Sequence, residues 1–179
     1  TFPTSGTCGF IAFSTFSAAT GIWSAASVHS PSGSVDPGIS YGTINNNGDI
    51  AFNWYGWENV AGSRVVRNAV SWRIAGQLTM QSRIFTDLPY GTSFFSMDSA
   101  GNMVLAKEAL QNAATNIVAY RGSLVGGFGA ANVIDQRSSA AKLIGLATTP
   151  NGRSVIAFQQ SNGTVTNSMY VAESKVATP

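Results

Sequence analysis

A chain of 179 residues can bury a core unaided, and its single cysteine, Cys8, excludes an internal disulfide framework and a cysteine-built zinc cluster. Only 10% of the residues are charged, against about 25% in an average soluble domain, while 44% are hydrophobic; this excludes an intrinsically disordered chain and leaves a surface made of Ser, Thr, Asn, Gln and Gly. The net charge of +2 comes from scattered Lys and Arg with no basic run to neutralise a phosphate backbone, so nucleic acid is a poor partner.

The chain starts at Thr1 with no Met and no basic leader, as a processed, secreted or cell-surface protein would. Cys8 reads as a buried small hydrophobe; the alternative is a bond to another chain in an oxidising compartment. No charged residue precedes Asp36, and residues 8–28 are apolar enough to suggest a membrane span. Ser14, Thr15, Ser17, Thr20, Gly21, Ser24 and Ser27 interrupt that stretch and basic flanks are missing, so no span is expected. It reads instead as two strands, residues 10–13 and 22–28, around a small-residue turn at Ala18-Ala19-Thr20-Gly21. A helix serving as an assembly stalk is the minor alternative. His29, the only histidine, is placed in the following loop beside Ser30-Pro31-Ser32-Gly33.

From residue 41 onward the sequence repeats. Three segments share one design, an apolar run, a turn with a central glycine and a second apolar run. They are residues 41–54 around Gly48, 94–106 around Gly101, and 143–158 around Gly152, with the turn glycines 53 and 51 residues apart. Such glycines supply the positive φ of tight hairpins. A third strand follows each turn, at residues 64–69, 115–121 and 167–173. A fourth is visible where Gly21-Ile22-Trp23 to Val28 aligns with Gly126-Gly127-Phe128 to Val133, two periods away. The equivalent stretch near Gly76 to Arg83 matches poorly.

The unit is thus about 50 residues and four strands. Residues 97–135, with the Gly101-Asn102 turn, an apolar second strand and a fourth strand led by Phe128, resemble the blades of bacterial secreted β-propeller repeat proteins. The resemblance is at the level of fold and implies an all-β chain of about three four-stranded antiparallel blades. One domain, 1–179, would comprise a partial blade at 8–37, blades at 38–91 and 92–140, and a partial blade at 141–174. A β-sandwich is the alternative. Propellers usually have about four to eight blades, so three leave open sheets. Two copies could complete a six-bladed ring, copies could join into a filament, or the chain could be a piece of a longer propeller.

No catalytic set is legible. The carboxylates sit at turns and strand ends, with Asp49 and Asp98 beside hairpin turns where hydrogen bonds to the backbone account for them. His29 has no Gly-x-Ser-x-Gly elbow to serve, and neither a histidine-rich nor an oxygen-ligand metal motif is present. Gly126-Gly127-Phe128-Gly129 reads as a strand-to-strand turn, not a nucleotide loop, and Asn162-Gly163-Thr164 as a hairpin turn that happens to match a glycosylation sequon. The most site-like cluster is Trp54, Tyr55, Trp57 and Glu58, placed in a loop after the second strand, with Arg64 nearby; exposed Trp and Tyr stack on sugars or anchor interfaces, the alternative being that Trp54 is core and Trp57 packs a blade junction. The expectation is a non-enzymatic, cofactor-free extracellular structural or adhesive subunit that self-associates through open sheet edges. A glycan-binding lectin-like module and a fragment of a propeller glycosidase are the alternatives.

Overall fold

The computed structural model describes residues 11–29, 35–86, 91–111, 114–135, 140–160 and 168–174. Cys8 and the Asn162 sequon lie outside them. Among the described residues every regular element is a strand and every pairing is antiparallel.

Residues 11–29, where a helix was the minor alternative, form a hairpin. Strand β1 (Ile11–Phe13) pairs with β4 (Ser27–His29), and β2 (Phe16–Ser17) pairs with β3 (Ile22–Trp23). The register slips by one residue between the two pairs, and Ser24 bridges the gap: its N–H donates to the Thr15 carbonyl at 2.8 Å and its Oγ accepts the Thr15 N–H at 3.0 Å. The expected second strand, 22–28, is therefore two short pieces of one arm. Its turn lies at residues 18–21 as expected, with Gly21 at φ 68°.

Three sheets follow in chain order. The first is β5 (Val35–Ile44), β6 (Ile50–Val60), β7 (Ser63–Arg73) and β8 (Gln81–Phe85). The second is β9 (Ser93–Met97), β10 (Asn102–Gln111), β11 (Ala114–Ser123) and β12 (Gly127–Asp135). The third is β13 (Ala141–Thr148), β14 (Ser154–Gln160) and β15 (Ser168–Ser174). The weakly matching stretch before Arg83 does end in a fourth strand, β8, because Gln81 to Phe85 pairs with β7.

One turn design opens all three sheets. Asn45, Asp98 and Thr149 each donate N–H to the carbonyl four residues on and accept, through their own carbonyl, the N–H of Gly48, Gly101 and Gly152. The side chain of the first residue caps the loop. Asp98 Oδ1 accepts the Ala100 and Asn102 N–H groups at 2.9 and 2.8 Å, Asn45 Oδ1 those of Asn47 and Asp49 at 3.0 Å each, and Thr149 Oγ1 that of Arg153 at 3.1 Å. In the first two turns the acid and the amide trade places: Asn45 Nδ2 donates to Asp49 at 2.8 Å, and Asn102 Nδ2 to Asp98 at 2.7 Å. Asp49 and Asp98 are thus turn-builders, as the sequence implied.

The sheets pack face to face. Ala51, Val70, Trp72 and Phe85 of the first sheet meet Met103, Leu105, Tyr120 and Phe128 of the second. The opposite face of the second sheet, through Ala106, Ile117 and Ala119, meets Leu143, Ile156 and Phe158 of the third. Ile11 of the hairpin covers Trp54 and Ala69 on the free face of the first sheet. The order is hairpin, first, second, third, and the second sheet is covered on both sides. Its strands accordingly read as continuous apolar runs, Met103-Val104-Leu105-Ala106 and Ile117-Val118-Ala119-Tyr120, as strands buried on both faces do.

Candidate functional site

The aromatic cluster does not lie in a loop. Strand β6 runs on to Val60 and pairs with β7 residue by residue up to Val60 with Ser63, turning at Ala61-Gly62 with φ 49° and 84°. A two-residue turn of positive φ matches the twist of paired strands, and the β-prone Trp and Tyr prolong the strand. Alternate residues of a strand point to opposite faces, so the cluster is divided. Trp54, 1% exposed, packs against Ile11 and Ala69, and its Nε1–H donates to Ser71 Oγ at 2.9 Å. Tyr55 and Trp57, both half-buried, share the other face. Glu58 and Arg64 are neighbours in the same ladder, facing Val65 and Asn59 respectively. The structure therefore brings Tyr55 and Trp57 together and sets Trp54 apart as core.

His29 lies in strand β4, not in a loop. Its Nε2 is 3.1 Å from Ser71 Oγ and 2.9 Å from Ser82 Oγ, and the two hydroxyls are 2.8 Å apart. No spacing or motif in the sequence marks these serines, which stand on the adjacent strands β7 and β8 of the first sheet and reach His29 from there. Partial burial holds the imidazole below its ordinary pKa of 6.5. Nε2 and the two hydroxyls thus form a closed triangle of hydrogen-bonding groups, to which the Trp54 Nε1–H adds a hydrogen bond donated to Ser71. Ser71, wholly buried and bound to Trp54, helps fasten the hairpin to the first sheet through His29.

Two further acids have structural partners. Glu108 Oε1 accepts the Leu143 N–H at 2.8 Å, tying the second sheet to the third, and Glu173 pairs with Arg153 across β14 and β15. No three of His, Cys, Asp and Glu group to hold a metal ion among the described residues. No helix among them is long and apolar enough to cross a membrane.

Among the described residues, two features of the second and third sheets have no structural partner. One is a groove of about 430 Å³ between the second and third sheets. Val104, Ala119, Ile134 and Ile156 form its apolar floor, and Arg121, Asn132, Ser154 and Glu173 its polar rim. The other is the outer face of the third sheet, where Ile144, Val155, Met169 and Val171 are exposed. At the far end of the stack Phe16, Ile22, Trp23 and Val28 of the hairpin are exposed as well, with Phe16 against Trp23 at 5.3 Å between ring centres. Compared with known proteins, the chain matches no family and no curated relative.

Proposed function

We propose that this chain is a non-enzymatic, extracytoplasmic structural subunit of β-propeller type that self-associates through the uncovered end of its sheet stack. One observation carries the reading. Val70, Ala119 and Val171 occupy the same place in the three sheets, opposite residues five past each turn glycine. The next sheet covers the first two, which are 0% and 3% exposed, while Val171 is 65% exposed. Ala51, Val104 and Val155, each three past the glycine, repeat the contrast: the first two are buried and Val155 is 37% exposed. The third sheet carries the surface of a covered layer without its cover. Fully burying one such aliphatic side chain is worth about 1.5–3 kcal/mol, and an uncovered apolar face invites a partner.

The test is molar mass by light scattering over a range of concentrations. The chain is expected to assemble, and Val171→Asp, at an exposed position, to stay folded and fall to a single copy. A wild type that remains a single copy at every concentration overturns the proposal.

A second reading, glycan binding, rests on Tyr55 and Trp57, two residues apart on one strand face. Stacking on a sugar requires such rings. Unchanged binding to a glycan array by Trp57→Ala removes it.

A further inference from the structure

The groove between the second and third sheets becomes intelligible by comparison with the same place one interface earlier. Between the first and second sheets that space is filled. Trp72 meets Phe128 edge-on at 5.9 Å, Phe85 meets Tyr120 at 4.6 Å and Phe128 at 5.4 Å, and Trp72 Nε1–H donates to the Leu124 carbonyl at 2.9 Å. Phe128 comes from β12, the fourth strand of its sheet.

One interface on, the ladder positions identify the counterparts. Arg121 stands for Trp72, Ala172 for Tyr120 and Ser154 for Met103. Large side chains have become small or polar, and among the described residues nothing stands for Phe128. Among the described residues the third sheet ends at β15, whose outer edge carries no partner strand. The groove is continuous with the core between the two sheets, since Ala119 and Ile156 belong to both. It is the place of a missing fourth strand and of one large side chain.

The chain carries a segment of that description. The arm from Gly21 to Val28 aligns with Gly126 to Val133, which sets Trp23 in register with Phe128. Trp23 and Val28 are exposed, and within the hairpin β4 pairs only with β1. We infer that the groove and the open edge of β15 receive the β3–β4 arm of a second copy, with Trp23 of that copy seated where Phe128 sits one interface earlier. The inference rests on the self-association reading and names its partner and geometry. The added strand runs antiparallel to β15, as β12 runs to β11, so main-chain hydrogen bonds supply affinity and one side chain supplies specificity. Arg121 at the rim offers its guanidinium to the incoming indole, much as Arg83 lies 5.0 Å from the Phe85 ring centre.

The geometry also sets the assembly. The hairpin of the second copy already covers its own first sheet through Ile11. Joined to the third sheet of the first copy, it places that sheet's bare outer face, including Val155 and Val171, against the first sheet of the second copy. The exchange is mutual. Three sheets from each of two copies close a ring of six, within the range of about four to eight that propellers use, and every sheet face in the ring is covered by a neighbour.

Light scattering, analytical ultracentrifugation and tryptophan fluorescence decide the matter. The wild type is expected at twice the chain mass, with its emission shifted to the blue on assembly as Trp23 leaves water. Trp23→Arg, at an exposed site in the single chain, and Ala172→Trp, which fills the groove from within, should each halve the mass while the far-UV circular dichroism of the wild type is retained. If both variants stay assembled while Val171→Asp does not, self-association stands and the strand exchange is wrong. Open-ended polymers from the wild type overturn the two-copy ring. A single-copy wild type overturns both readings.

Discussion

Individual residues decide the turns. Gly101 and Gly62 both have positive φ, 81° and 84°, but their surroundings differ. A Cβ on Gly101 would lie 2.4 Å from Leu124 Cδ1, whereas one on Gly62 would meet nothing within 4 Å. Left-handed backbone costs an L-residue about 1–2 kcal/mol and overpacking about 1–3 kcal/mol more. Gly62→Ala is therefore expected to cost about 1–2 kcal/mol and Gly101→Ala about 2–5 kcal/mol in urea unfolding, the difference reporting the Leu124 contact. Ala61, at φ 49°, carries the same strain without being glycine. Ala61→Asn, which tolerates that conformation, should raise stability by about 0.5–1 kcal/mol; an unchanged urea midpoint would count against strain at this site. The turn glycines were legible because a tight hairpin needs them. The Ala61-Gly62 turn was not, since alanine there breaks the rule that turn residues advertise.

At the scale of elements, the strands opening and following each glycine turn were readable from apolar runs, because nothing else accommodates β-branched and aromatic residues at that spacing. Strand β8 was missed because it is an outer strand: Gln81 and Ser82 are exposed, and only Phe85 is buried. The candidate site fared worse for a related reason. Once Trp54, Tyr55 and Trp57 are on a strand and not a loop, alternation sends Trp54 into the core, and the sequence alone did not mark where β6 ends. The hairpin is held to the first sheet by Ile11 and by His29 with its two serines. Because burial lowers the His29 pKa, the folded chain binds fewer protons than the unfolded chain in the window just below 6.5. The contribution is complete above pH 6.5 and is lost as pH falls from there through the lowered folded value. Chemical unfolding at pH 7.5 and 5.5 should show wild type losing more stability than His29→Asn over that interval; equal losses would mean that the imidazole is not linked to folding.

For the molecule as a whole, repetition was legible while layering was not. A period of about 50 residues announces equivalent units, but not which faces meet. That follows from contacts such as Glu108 with Leu143, or Trp72 with Phe128, between residues far apart in the chain. The groove was invisible for the same reason, since it arises from substitutions at positions that only the ladder aligns: Arg121 for Trp72 and Ala172 for Tyr120. Whole-molecule behaviour should follow the ends of the stack, where Val171 and Trp23 remain in water, more than its middle.

The double covering of the second sheet also governs how the molecule comes apart. Each layer leans only on its neighbours, so in a single copy thermal opening begins at the two flanks and reaches the centre last, as in other stacked architectures. Amide protons of β10 and β11 should therefore exchange with deuterium most slowly, those of β1 to β4 and β15 fastest. Whatever seals the flanks would slow exchange there first and leave the centre nearly as it was.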